Sequence, residues 1–357
     1  MNGKIKGFDG IRGAAVLSVV LQHLGFFDGL REMGILSEGV DVMINGITGV
    51  TAFFVLSGFL ITMLLIRELK ASGRISLRDF YIRRMLRIFP LYILFLLLVT
   101  LIHNIGDAGT NANSLAFASL YLYNFIPNIW ASAVLEHTWS LAVEEHFYLI
   151  WPLILSLFFN KKRKLLVGLL VFIGFSVFLS NVWFDIDWLN NFNIRRWSFI
   201  AGGFIAFGCV AALILFGDEK AESWRGLLGR KSVLFFGAVL FSNSLFLSTY
   251  GDLGLYIRAA GIMIIISWIY LNQNSLLVRL LEIRALRYIG VISYGVYMYQ
   301  GFFLSTGPFR TPSQTWPPDP LTGLILLIMA APFSYQFFEK PILQLKAKFG
   351  SRNAQNA

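Results

Sequence analysis

Arg12 and His23 stand eleven residues apart in the run FDGIRGAAVLSVVLQHLGFF. On a helix, eleven steps make three turns and about 20° more, so both side chains project from one face, about 16 Å apart along the axis. Asp9 lies one turn before Arg12 and can pair with it. An arginine in an apolar run either meets an anion or reaches for the interface. A histidine there is either a neutral ring bonded to a neighbouring helix or a proton acceptor. A second run, HTWSLAVEEHFYLIWP, carries Trp139, Glu144, Glu145 and His146. A carboxylate beside an imidazole fixes its tautomer and stabilises its protonated form. Glu144 and Glu145 point about 100° apart on a helix, so only one need face such a site. A third run, RDFYIRRMLRIFP, sets Arg84 and Arg87 one turn apart, a spacing that suits a phosphate or carboxylate and equally a basic loop that orients the chain. Ser57 and Gly58 in GVTAFFVLSGFLIT permit close helix approach. ISYGVYMYQ supplies Ser293, Tyr294, Tyr297 and Gln300, which line a polar cavity or bond between helices. No HExxH or paired-cysteine spacing occurs, and no metal site is expected.

The elements that must position these residues are built for lipid. Of 357 residues, 56% are hydrophobic and only 14% are charged, against about 25% charged in soluble domains. Apolar runs long enough to span a bilayer lie near 8–27, 47–66, 88–105, 139–159, 165–183, 197–216, 232–249, 254–272, 288–306 and 321–340. The expected fold is all-α, a polytopic membrane protein with about ten transmembrane helices. A weaker run at 115–130 contains Asn124, Pro127 and Asn128 and reads as re-entrant or interfacial. The first run follows a short basic leader, holds Asp9 and Arg12 and lacks a small-residue cleavage pattern, so it reads as a retained helix. The connections are too short for a soluble domain, which leaves one transmembrane domain over 1–345 and a short basic tail over 346–357. The lone Cys209 lies in a span and reads as a small buried residue.

Charge sets the sidedness. With the amino terminus inside, 24 of the 30 Lys and Arg fall on inner segments and five on outer ones, with Arg12 in the first helix. Cytoplasmic loops carry that excess, so both termini are expected in the cytoplasm. The net charge of +10 then reflects topology and contact with anionic membrane lipid. A nucleic-acid partner is not expected, because the basic residues are scattered through short loops. This orientation puts Arg84 and Arg87 at the inner face. It puts His23 and the Glu144–His146 cluster at comparable depth in the outer half, where a base–orienter pair can form.

Taken in order, FDGIRGAAVLSVVLQH, FFVLSGFLIT, YIRRMLRIFP, WSLAVEEHFYLIWP and ISYGVYMYQ resemble the motifs of the integral-membrane acyltransferase family 3, over nearly the whole chain. The resemblance implies a multi-pass O-acyltransferase of the bacterial inner (cytoplasmic) membrane. It implies acetyl-CoA or another acyl-CoA as co-substrate, no permanently bound cofactor, and a sugar, polysaccharide or lipid-linked glycan as acceptor. By position it implies that Arg12 and His23 are the family's arginine–histidine pair, with the histidine catalytic. It assigns Arg84 and Arg87 to the acyl-CoA donor and matches Glu144 and Glu145 to the glutamates of the WSL motif. His146 stands where glutamine is expected, and Gln300 where many members have histidine. Both, with Ser57, Trp139 and Tyr294, are candidate acceptor or cavity residues. No carboxyl-terminal esterase-like domain is expected.

On this reading the donor's nucleotide end rests on Arg84 and Arg87, with Arg12 along its path. His23 takes the proton of the acceptor hydroxyl as it attacks the thioester, and Glu145 or Glu144 orients the ring. An acyl-His23 intermediate is a second route. A different class, a secondary transporter of a small anionic or sugar-like solute, also fits many spans with intramembrane charge. No repeat relating the two halves supports it. A non-catalytic scaffold would leave the matched Glu and His unexplained.

Overall fold

The computed structural model describes residues 5–35, 44–105, 110–182, 187–217, 221–243, 252–304 and 319–345. The tail 346–357 and the basic residues Lys4, Lys220 and Arg310 of the charge count lie outside them. Among the described residues the regular elements are helices, and one isolated antiparallel bridge joins Pro127 and Phe192. In chain order they are α1 (Phe8–His23), α2 (Phe26–Glu32), α3 (Gly46–Ser72), α4 (Leu77–Ile105), α5 (Ala112–Ser119), α6 (Thr138–Phe158), α7 (Lys162–Val182) and α8 (Ser198–Phe216). They continue with α9 (Ala221–Leu228), α10 (Lys231–Asn243), α11 (Leu253–Leu271), α12 (Leu276–Leu281), α13 (Arg284–Val291), α14 (Ser293–Phe303), α15 (Pro320–Ser334) and α16 (Lys340–Gln344). A π-helical turn, Tyr335–Glu339, joins the last two.

Among the described residues, six helical segments are long and apolar enough to cross a bilayer, or seven if the pair α1–α2, bent by 62°, counts as one. The chain is therefore a multi-pass membrane protein. One of the six, Thr138–Asn181, runs for 44 residues. If straight it would be about 66 Å long, roughly twice the hydrocarbon thickness. A 3-10 turn at Phe159–Lys161 interrupts it, next to Lys162, Arg163 and Lys164. Other apolar runs are broken where hydropathy alone cannot see it. The run 288–306 divides at Ile292 between α13 and α14. The weak run at 115–130 holds the end of α5 and two 3-10 turns, not a crossing helix. Such irregular backbone is tolerated at membrane depth where protein covers it, and Tyr123 and Asn124 within it are buried.

Caps set the main boundaries. Asn45 opens α3 by accepting from the Thr48 amide at 3.0 Å, and Gly73, at φ +73°, closes it. Asp319 opens α15 the same way, with Pro320 at the first helical position. α8 is apolar and buried on nearly all sides, which makes it the centre of the bundle. It packs most intimately on α3 and also touches α6, α7 and α11. The α3–α8 crossing is backbone to backbone. A Cβ on Gly58 would strike the Ile205 carbonyl, and one on Gly208 would strike the Val55 carbonyl. Small residues that bring helices this close are the main packing device in lipid. Cys209 lies in the same seam, fully buried, with its Sγ 3.6 Å from the Gly58 carbonyl. α1 packs against α3 and α13, so its polar face is turned into the protein.

Candidate active site

Two cavities meet inside the bundle. The first, called the inner cavity after the sidedness expected from the charges, is lined by Arg12 of α1, Arg84 and Arg87 of α4, Ser57 of α3, Glu144 and Tyr148 of α6, and Tyr294 of α14. Its volume, open mouth included, is about 780 Å³. Arg12 pairs with Asp9 at 3.3 Å. The Arg84 guanidinium lies 4.4 Å from the centroid of the Tyr148 ring. Glu144 accepts from the Ser57 hydroxyl at 2.8 Å and from the Tyr148 hydroxyl at 3.0 Å. Tyr294 is tied back by its hydroxyl to the Ile88 carbonyl at 2.8 Å. Three guanidinium groups and Glu144 thus share one cavity, and forked donors of this kind suit a phosphate or carboxylate.

The second cavity, about 1260 Å³ with its open mouth included, is lined by His23 and Gln22 at the end of α1, by Glu136, His137, Trp139 and Arg196, and by Gln300 of α14. Its charges are paired: Arg196 with Glu136, and Arg195 with Asp252 at 2.8 Å. The Arg196 guanidinium lies 5.6 Å from the Trp139 ring centroid. Glu136 and His137 both lie close enough to His23 to act on it electrostatically. Val50, Phe54 and Tyr297 border both cavities. Arg12 and His23 thus share one helix but serve different cavities, as their separation along α1 requires.

The structure brings Arg12, Arg84, Arg87, Ser57, Glu144 and Tyr294 into the inner cavity, and His23, Trp139 and Gln300 into the outer one. It does not pair His23 with Glu144 or Glu145. Depth along a helix says nothing of azimuth, and Glu144 faces the arginines. Glu145 turns from both cavities, with its buried Oε1 unbonded and in the field of Tyr92, Tyr121 and Tyr294. His146 bonds the Ser198 hydroxyl at 2.6 Å and borders an apolar groove between α6, α7 and α8. Of the two carboxylates that share the cavity of His23, Glu136 and Asp252, Glu136 is the one whose charge acts on the ring. It lies two residues before α6, outside every apolar run, so a search for charges within spans passes over it. Its only sequence signal is the adjoining HTW. Tyr148, one turn beyond Glu144, was also missed as a cavity residue.

Residues 5–338 match the family described as the Acyltransferase domain. A peptidoglycan O-acetyltransferase, OatA, of Listeria monocytogenes is 27% identical, covering 95% of this chain and 56% of its own. A putative peptidoglycan O-acetyltransferase, YrhL, of Bacillus subtilis is 29% identical, covering 95% and 55%. The O-acetyltransferase OatA of Staphylococcus aureus is 26% identical, covering 95% and 57%. The chain thus spans just over half the length of the curated relatives it matches. No solved structure matches it.

Proposed function

The chain belongs to this acyltransferase family, and from that premise we propose that it moves an acetyl group from coenzyme A on the cytoplasmic side to a hydroxyl of a glycan on the far side. The names of its relatives make peptidoglycan the first acceptor to test. The reading includes ten crossings of the inner membrane with both termini in the cytoplasm, in line with the charge distribution. Arg12, Arg84 and Arg87 take the phosphates of the donor, and Glu144 balances their charge while the cavity is empty of anion. In the outer cavity the acceptor oxygen attacks the thioester carbonyl and His23 takes its proton. The C–S bond breaks, and the leaving thiolate recovers a proton to give free coenzyme A. Glu136, rather than Glu144 or Glu145, stabilises the imidazolium. The observation that carries this reading is the pair of abutting cavities, arginines in one and His23 in the other, with a shared wall of three side chains.

The test uses the full chain in proteoliposomes with labelled acetyl-CoA and peptidoglycan fragments. Wild type transfers label. His23→Ala loses transfer by about 10²-fold or more while still binding coenzyme A. Full activity in that variant would refute the assignment.

A further inference from the structure

We propose that His137 and Gln300 form an acceptor-reading wall in the outer cavity, bonding neighbouring hydroxyls of an uncharged, hydroxyl-rich acceptor. The inference rests on the acyl-transfer reading above. Gln300 is 0% and His137 6% exposed, and both line the cavity that holds His23. None of their four polar side-chain atoms, Nε2 and Oε1 of Gln300 and Nδ1 and Nε2 of His137, has a hydrogen-bond partner. Buried polar side chains are nearly always bonded. Two neighbouring side chains with every polar atom unmet are what a wall looks like when its ligand supplies the missing bonds.

The packing holds His137 in place. Its ring meets Phe95 and Tyr297 edge-on, at centroid distances of 5.2 and 5.5 Å. Its carbonyl accepts from the Tyr297 hydroxyl at 3.0 Å and the Ser140 hydroxyl at 3.2 Å. Gly301 leaves room for the ring, since a Cβ there would sit 2.7 Å from its Cε1. The ring is therefore fixed by its faces and backbone, while its nitrogens are left open.

The ligand chemistry follows from the donors and acceptors. A glutamine amide donates and accepts, and so does a neutral imidazole. A carboxylate or phosphate would need donors alone, and an ammonium acceptors alone. Hydroxyls, which do both, fit a mixed wall. The ionic groups nearby, Arg196 with Glu136 and Arg195 with Asp252, are already paired. An uncharged sugar with adjacent hydroxyls meets these conditions.

The test compares Gln300→Met and His137→Phe, which keep volume and remove the polar atoms, with His137→Gln, which restores a donor and an acceptor. The full chain in nanodiscs is given acetyl-CoA and either chitotetraose, which is uncharged, or an oligogalacturonate. Gln300→Met and His137→Phe should raise the KM for chitotetraose about 10-fold or more, with smaller changes in kcat and coenzyme A affinity kept. His137→Gln should recover part of the loss. Transfer to the oligogalacturonate alone, an unchanged chitotetraose KM in both variants, or a parallel loss of coenzyme A affinity would overturn the inference. Wild type that acetylates peptidoglycan fragments but not chitotetraose would also overturn it, and no acetyl-CoA turnover with any of the three acceptors would instead refute the acyl-transfer reading beneath it.

Discussion

Replacing Arg84 with methionine separates two roles of one side chain. Its guanidinium lies over the Tyr148 ring at 4.4 Å and also lines the inner cavity beside Arg12 and Arg87. The cation–π contact, with Arg84 half-buried over the buried Tyr148 ring, contributes about 1 kcal/mol. Methionine retains much of the apolar contact of the stem, so stability in detergent should fall by no more than about 1 kcal/mol. A guanidinium–phosphate bond contributes about 1.5–3 kcal/mol, which is about 10- to 150-fold in affinity. Calorimetry in nanodiscs should therefore show the Kd for coenzyme A rising by that factor while the unfolding midpoint scarcely moves. Arg84→Lys keeps the charge but loses the planar fork and should fall between the two. A folded Arg84→Met protein whose affinity stays within about twofold of wild type, far below the expected 1.5–3 kcal/mol, would refute the donor role.

Glu144→Gln should act with the opposite sign on the same equilibrium: coenzyme A binds more tightly once the competing carboxylate is gone. Its stability should drop by about 1.5–3 kcal/mol, since Ser57 or Tyr148 loses a charged acceptor; weaker coenzyme A binding would exclude the counter-charge role. Gly58→Leu forces side-chain atoms against the Ile205 carbonyl and should destabilise the α3–α8 seam by about 1–3 kcal/mol or more. An unchanged thermal midpoint in detergent would contradict the packing described. A fluorescent-protein fusion at the carboxyl terminus should glow, and a periplasmic phosphatase fused at the same point should be inactive; the reverse pattern would overturn the proposed sidedness.

The helical, membrane-embedded class was legible because lipid leaves a coarse imprint, long apolar runs with basic flanks. Breaks inside the runs were not, because a turn at Gly25 or Ile292 changes direction without changing hydropathy. In the site, Arg12 could be picked out as a charge inside an apolar run, and Arg84 and Arg87 by their one-turn spacing just before the next run. Their meeting around Glu144 could not, since it depends on how α1, α3, α4 and α6 are rotated against one another. The expected partnership of His23 with Glu144 or Glu145 failed on that same rotation. Glu136 escaped notice because a carboxylate in a loop looks ordinary until the loop is seen folded under the bundle.

Val50, Phe54 and Tyr297, the wall common to both cavities, also act as electrical insulation. Were water to fill both cavities, most of an energised membrane's voltage would drop across these few side chains. Moving one elementary charge through them would involve about 2.3 kcal/mol per 100 mV. If the hydroxyl's proton stays on the acceptor side and the thiolate takes its proton from the donor side, the acetyl group passes as the equivalent of one positive charge. On the proposed reaction the transfer would therefore feel the membrane potential, unless the proton that His23 takes is handed back through the wall to the thiolate.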